Sequence, residues 1–213
     1  MKIRTEARRE AIVREATRLF LEMGYERATM GELTRRMGGS KATLYGYFPS
    51  KEQLFVAVAE ATGEAHLADA VADLEALAVV GLEIGLVRFA EKMISLMTKD
   101  EALALRRMIV GESGRSDVGE VFIQLGPRRC LDAVAAALAA AMDRGELARG
   151  SPEVLTMQLL GLVRAELDLR DYVHRPPGLT RRQVAAMAGR AVRMFIGGHR
   201  YAVQTSGEVG VRA

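Results

Sequence analysis

Apolar residues return every three or four positions in almost every segment of this chain, and no stretch alternates at the two-residue period of a strand. That periodicity restricts the fold to packed helices. In 6–23, Ile12, Ala16, Leu19, Phe20 and Met23 form one stripe, and Gly24 follows as a stop. Thr29 and Glu32 make a T-x-x-E capping box that opens a short helix presenting Met30, Leu33 and Met37 and ending at Gly38-Gly39. Ser40 caps a second short helix over 41–47. Ser50 and Gln53 form another capping box ahead of a long helix led by Leu54, Phe55 and Val58.

Beyond residue 78 the helices become longer and more apolar. Segment 80–97 carries Leu82, Leu86, Phe89, Met93, Leu96 and Met97 on one face and Val87, Ala90 and Ile94 elsewhere, the pattern of a helix in the middle of a bundle. A helix over 101–111 is followed by a loop over 112–119, rich in Gly, Ser and Asp. Pro127 opens a helix with Leu131, Val134, Ala135, Leu138, Ala141 and Met142 in register, closed by Gly145. Ser151-Pro152 opens one reaching about residue 174, broken by Arg175-Pro176-Pro177-Gly178. Thr180 and Gln183 then cap a helix with Val184, Met187, Ala188, Ala191, Val192, Phe195 and Ile196 in an i, i+3, i+4, i+7 series. The tail 202–213 has no pattern and is expected to be flexible. The expectation is an all-α fold of about nine to ten helices.

At 213 residues and 49% hydrophobic, the chain can bury a sizeable core. One cysteine, Cys130, excludes a disulfide within the chain and suits a reducing compartment. No apolar run approaches the roughly 20 residues of a membrane helix. The start, Met1 to Arg9, is charged throughout and lacks the apolar centre of a signal peptide, so a soluble cytoplasmic protein is expected.

The net charge is only +3, but it is unevenly placed. Residues 1–51 hold 11 Lys and Arg against 6 Glu, a balance of +5, while the other 162 residues balance at −2. Two readings are open: a polyanion partner for that end alone, or a solvated helix face.

The stretch 24–55 separates them. It encodes a capped helix, a glycine turn and a second capped helix, the order of a helix-turn-helix. In such a motif the second helix enters the major groove with its first residues against base edges. Here those are Ser40, Lys41, Ala42 and Thr43, with Tyr45 and Tyr47 a turn further on. Lys41 suits guanine O6 and N7 or a phosphate, and Ala42 and Thr43 offer methyls to thymine. Thr29, Tyr47 and Lys51 are placed to hold phosphates, and Leu44 is expected to point inward.

The order T-L-Y-x-Y-F-x-S-K-E-x-L over 43–54, preceded by G-x-S, closely resembles the DNA-binding domain of the tetracycline-repressor (TetR) family of bacterial regulators. The likeness runs from about residue 8 to 56 and includes Ile12, Ala16, Leu19, Phe20, Gly24-Tyr25 and Thr29. It implies DNA contacts at Thr29, Lys41, Ala42, Thr43, Tyr45, Tyr47 and Lys51. Met37 stands where the family usually has a small residue, and Gly39 where it often has Val. The stretch Arg107 to Leu147 also resembles, loosely, one subgroup of the family's C-terminal domains.

The resemblance further implies an N-terminal three-helix domain over 1–50, a helical ligand-binding and dimerisation bundle over 51–201, and a tail over 202–213. Dimerisation would use the last two long helices, about 152–174 and 180–199, through Leu159, Val163, Val184, Met187, Ala188, Ala191 and Phe195. A ligand pocket would draw on Phe89, Met93, Met97, Met108, Phe122, Val134 and Met157; the alternative for the methionines is plain core filling. Arg164–Asp168 and Glu166–Arg170 are i, i+4 pairs suited to a surface or an interface.

His66, His174, His199 and Cys130 have no metal-ligand spacing, and there is no Walker loop, G-x-S-x-G elbow or H-E-x-x-H. No enzyme, metal or cofactor is expected. The partners expected are double-stranded DNA, a second copy of the chain and an unidentified small effector, with no membrane. The reading is a regulator, in the first place a repressor, released from a palindromic operator by an apolar or amphipathic ligand. The alternatives are a DNA-binding regulator without such a ligand and, more remotely, a helical carrier or enzyme.

Overall fold

The structure, a computed structural model, describes residues 5–125 and 128–205. Eleven α-helices and one 3-10 helix follow one another among the described residues: α1 (Glu6–Arg27), α2 (Met30–Met37), α3 (Lys41–Tyr47), α4 (Lys51–Glu75), α5 (Leu77–Val80), α6 (Leu82–Met97), α7 (Asp100–Glu112), α8 (Val118–Leu125), α9 (Arg128–Asp143), α10 (Pro152–Ala165), the 3-10 helix (Asp168–Tyr172) and α11 (Arg181–Thr205). Among the described residues no helix is long and apolar enough to cross a membrane.

The chain forms two compact units, Met1–Ala65 with Lys99–Arg128, and His66–Thr98 with Arg129–Ala213. The first has one core, in which Ile12, Ala16, Leu19 and Phe20 of α1 meet Leu33 of α2, Leu44 of α3 and Phe55 and Val58 of α4. Leu105 and Ile109 of α7 and Val118 of α8 belong to that same core. The compact unit therefore extends beyond the 1–50 segment, because three short helices present more apolar surface than they can cover among themselves.

The second unit is built around α6. Its Leu82, Leu86, Phe89, Ala90 and Ile94 are buried with Val134, Leu138 and Ala141 of α9, Leu155 and Leu159 of α10, and Ala188, Val192 and Phe195 of α11. A helix apolar on most sides is central, as its sequence implied.

The helix count exceeds the expected one for local reasons. Segment 80–97 is interrupted at Gly81, whose φ of +89° only glycine adopts freely. α5 then folds close onto α6: a Cβ on Gly85 would stand 2.1 Å from Leu77 Cδ2. The expected loop 112–119 gives way at Val118, which is fully buried and begins α8.

The helix expected to reach residue 174 stops at Ala165. Glu166 pairs across to Arg190 of α11 at 2.7 Å rather than with Arg170, and Leu167 buries its side chain. Arg164 gathers Asp168 at 2.7 Å and also Asp171, which tightens the charged run into the 3-10 helix, and Arg170 donates to the Pro177 carbonyl. At the other end of α9, Gly145 takes a φ of +74° and the Gly145 and Glu146 amides donate to the Met142 and Ala141 carbonyls, closing the helix where the sequence placed its stop. Residues 202–205, expected in the flexible tail, continue α11, while Pro127 and 206–213 lie outside the described residues.

Candidate nucleic-acid interface

The helix-turn-helix is assembled by its caps. The Thr29 hydroxyl accepts from the Glu32 amide at 3.1 Å and the Ser40 hydroxyl from the Thr43 amide at 3.1 Å. The expected capping box at Thr29 is only half made. The Glu32 carboxylate turns outward to Arg35, at 2.6 and 2.9 Å, and to Arg36 at 3.1 Å, because two guanidinium groups compete with one backbone amide. By contrast, Thr180 and Gln183 complete theirs in both directions. Between α2 and α3 the chain turns at Gly38, with a φ of +61°.

Leu44 is buried in the core of the first unit, as expected, and this fixes which side of α3 faces outward. Lys41, Ala42 and Tyr45 are exposed on that helix, and Thr29 is exposed at the start of α2. A Cβ on Gly31 would lie 3.7 Å from both Lys41 Cε and Thr29 Oγ1, so these two polar groups meet around a residue without a side chain. Thr43 is half-buried and its hydroxyl shares a 2.9 Å hydrogen bond with that of Ser40.

Tyr47 and Lys51 have partners in their own chain. The Tyr47 hydroxyl accepts from the Thr5 amide at 3.0 Å, which leaves its proton available to an acceptor outside the protein. Lys51, expected on a phosphate, is turned inward: Nζ donates to the Tyr25 carbonyl at 3.0 Å and stands 4.1 Å above the Tyr25 ring. Beside it the Tyr25 hydroxyl donates to Glu52 at 3.1 Å. Burial, followed by the charge of Glu52, pushes the Tyr25 hydroxyl pKa well up. The carboxyl of Glu52 is held below its usual range by its own backbone amide and by the Ser50 hydroxyl.

Sequence reasoning did not find the ion-pair cluster that joins α1 to α2. Arg36 reaches Glu22 at 2.7 Å, Glu32 at 3.1 Å and Glu15 at 3.9 Å. Only the Glu32–Arg36 spacing of four residues signalled any of it. Arg36, counted among the cations of the basic end, is thus paired within the unit.

The residues expected to line a ligand pocket are divided between the two units. Phe89 and Val134 are fully buried in the second unit's core, and Met93 and Met97 pack against it, half-buried. Met108 and Phe122 pack against the core of the first unit instead. Met157 faces solvent at 62% exposure because Leu155 and Leu159, each two residues away and so roughly 200° around the helix, take the buried side. The first unit carries an open cleft of about 500 Å³ with Phe48, Val56 and Ala57 in its floor and Arg9, Glu52, Glu60 and Asp117 around it. None of the expected pocket residues lines it.

Residues 12–58 match the family model described as bacterial regulatory proteins, tetR family, and residues 85–202 match the C-terminal domain of AefR-like transcriptional repressors. The chain belongs to the TetR family. Members of this family are transcriptional regulators, not enzymes. The HTH-type transcriptional repressor AcnR of Corynebacterium diphtheriae is 34% identical over 99 residues, 46% of each chain. The match thus spans about half the length of that curated relative. A TetR-family transcriptional regulator from Mesorhizobium loti superposes with a TM-score of 0.77 at 25% identity, covering 92% of this chain and 99% of its own. The flavonoid-responsive regulator FrrA superposes with a TM-score of 0.70 at 28% identity, covering 91% and 97%.

Proposed function

We propose that this TetR-family chain is a repressor that binds a palindromic operator as a homodimer in the cytoplasm and is released by a small apolar or amphipathic effector. The observation that carries the DNA part is the exposed set Thr29, Lys41, Ala42 and Tyr45, held in one orientation by the burial of Leu44. Lys41 and Tyr45 approach base edges; Thr29 and the Tyr47 hydroxyl hold phosphates and set the register. Thr43 contributes its methyl. Lys51 contributes by fixing the start of α4.

A palindrome requires two copies. The expected interface residues Leu159, Val163, Val184, Met187, Ala188, Ala191 and Phe195 are all buried in the core of the second unit. The same two helices keep a second apolar side in solvent: Val154 at 53%, Met157 at 62% and Met194 at 67% exposure, with the small exposed residues Gly161, Ala165 and Ala186. We place the dimer contact there, where small residues permit close helix approach.

Effector control is supported by the likeness to the flavonoid-responsive regulator and by the half-buried thioethers of Met93 and Met97 at the edge of the second core. Ligand would select a conformation of the body in which the two reading units no longer match the half-site separation. The closed packing of Phe89 and Val134, both fully buried, favours a second reading in which no small molecule enters.

Selection of bound duplexes from a random-sequence pool, followed by titration with flavonoids, fatty acids and other amphipathic compounds, tests all three parts. A palindromic consensus bound by a dimer and released by one compound class is the expected result. A consensus that no compound affects leaves the second reading, and no enriched duplex removes the DNA assignment.

A further inference from the structure

The cations of the basic end are nearly all engaged within the chain. Arg9, Arg14, Arg18, Arg35 and Arg36 each face a carboxylate, at 3.6, 3.5, 3.2, 2.6 and 2.7 Å respectively. Arg27 donates to the Met23 carbonyl and Lys51 to that of Tyr25. Among the described residues of this end, Lys41 and Arg8 have no carboxylate against them. Lys41 already belongs to the proposed interface. Arg8 was given no role by the sequence.

Arg8 sits in the first turn of α1, yet its guanidinium reaches the turn that precedes α3. A Cβ built on Gly39 would stand 3.6 Å from Arg8 Nη2. Arg8 also borders a dimple of about 20 Å³ shared with Gly39, Ser40 and Thr43, room for about one water and so no ligand pocket. Two contacts bring α1 there. The Thr5 amide donates to the Tyr47 hydroxyl at the far end of α3, and the Arg9 guanidinium lies 5.4 Å over the Phe48 ring. Thr5 and Arg8 therefore bracket α3, one near each end, and the first turn of α1 is strapped alongside it.

We propose that Arg8 is a further DNA-contacting residue, its guanidinium holding a backbone phosphate beside the recognition helix from outside the helix-turn-helix itself. An unpaired guanidinium keeps a planar fork of donors free for two phosphate oxygens, a geometry that Arg35 and Arg36 use on carboxylates instead. Gly39 leaves that space open: a Cβ there would already be in van der Waals contact with Nη2, and a branched side chain would fill more of it. The inference rests on the DNA reading above, and the two fail in different ways.

The test uses the full chain and a duplex obtained by the selection already described, with binding followed by fluorescence anisotropy across a salt series. One phosphate contact contributes about 0.9 to the slope of log affinity against log salt. Arg8→Ala is expected to weaken binding at least about tenfold and to lower that slope by about 1.8, one contact being lost from each protomer of the dimer, while Arg8→Lys keeps most of the slope. Gly39→Val, which leaves the charge and displaces it, is expected to fall between Arg8→Ala and the unaltered chain. Arg35→Ala, whose guanidinium is already paired, is the control and should keep the slope. If Arg8→Ala does not fold by circular dichroism, Gly39→Val and Arg8→Gln read the same quantity. An unchanged slope in Arg8→Ala, with the unaltered chain still bound, overturns the role of Arg8 and leaves the DNA reading standing. A chain that selects no duplex overturns both.

Discussion

The Lys51 ammonium donates to the Tyr25 carbonyl at 3.0 Å and lies 4.1 Å above the centre of the same residue's ring. This double contact ties the first turn of α4 to the chain just after Gly24, where the helical geometry of α1 is interrupted. Lys51→Met removes both parts and is expected to cost on the order of 1–2 kcal/mol, read from urea unfolding. The salt dependence of duplex binding should stay unchanged. A slope reduced by about 1.8, one contact from each protomer, with stability intact would return Lys51 to a phosphate.

Phe55 is fully buried between Phe20, at a centroid distance of 5.0 Å, and Tyr25, at 5.1 Å, both nearly edge-on. Truncation leaves a cavity where α1 and α4 meet. Phe55→Ala is expected to cost about 3–5 kcal/mol and to abolish duplex binding at 37 °C, whereas Phe55→Leu retains most of both. Chemical denaturation and a binding assay on the same samples check this.

The Arg35 and Arg36 guanidiniums hold the Glu32 carboxyl at about 2, against an ordinary value of 4.5. A carboxyl whose pKa is lowered on folding favours the folded state above its unfolded pKa, and loses that contribution as pH falls through the folded one. Thermal midpoints should therefore decline between pH 4.5 and about 2. Glu32→Gln should flatten that window of the profile and lower the midpoint at pH 7, where the carboxylate's contribution is fully present. An identical profile in both proteins would show that the cluster is not linked to folding.

Burial pushes the Cys130 thiol up to about 11, in the core of the second unit. The thiolate fraction at neutral pH is then negligible and the sulfur is enclosed. Ellman's reagent should react with the native protein only on the timescale of unfolding and within seconds in guanidinium chloride. Rapid reaction of the native chain would show that the thiol is accessible in the folded state.

The recognition helix and its supports were legible because their signals are local. Thr29, Ser40 and Thr180 cap the helices they were expected to cap, Gly38 turns the chain where two glycines stood, and Leu44 points inward from its place in the apolar stripe. Each depends on neighbours within four residues. The pocket was not legible, since seven apolar residues on five helices satisfy a pattern whether or not the helices bring them together.

The sequence alone determined that this chain is helical throughout and that it belongs among the TetR-family regulators, because helical period, caps and a recognition motif are properties of short segments. Tertiary structure decided which charges remain available. Arg36 meets Glu15 and Glu22 from another helix, and Thr5 meets Tyr47 across 42 positions. It also decided that α7 and α8 share the core of the first unit, and which apolar side of α10 and α11 is buried. A helix with two apolar sides carries no local mark of which one faces inward; only the surface packed against it settles that choice.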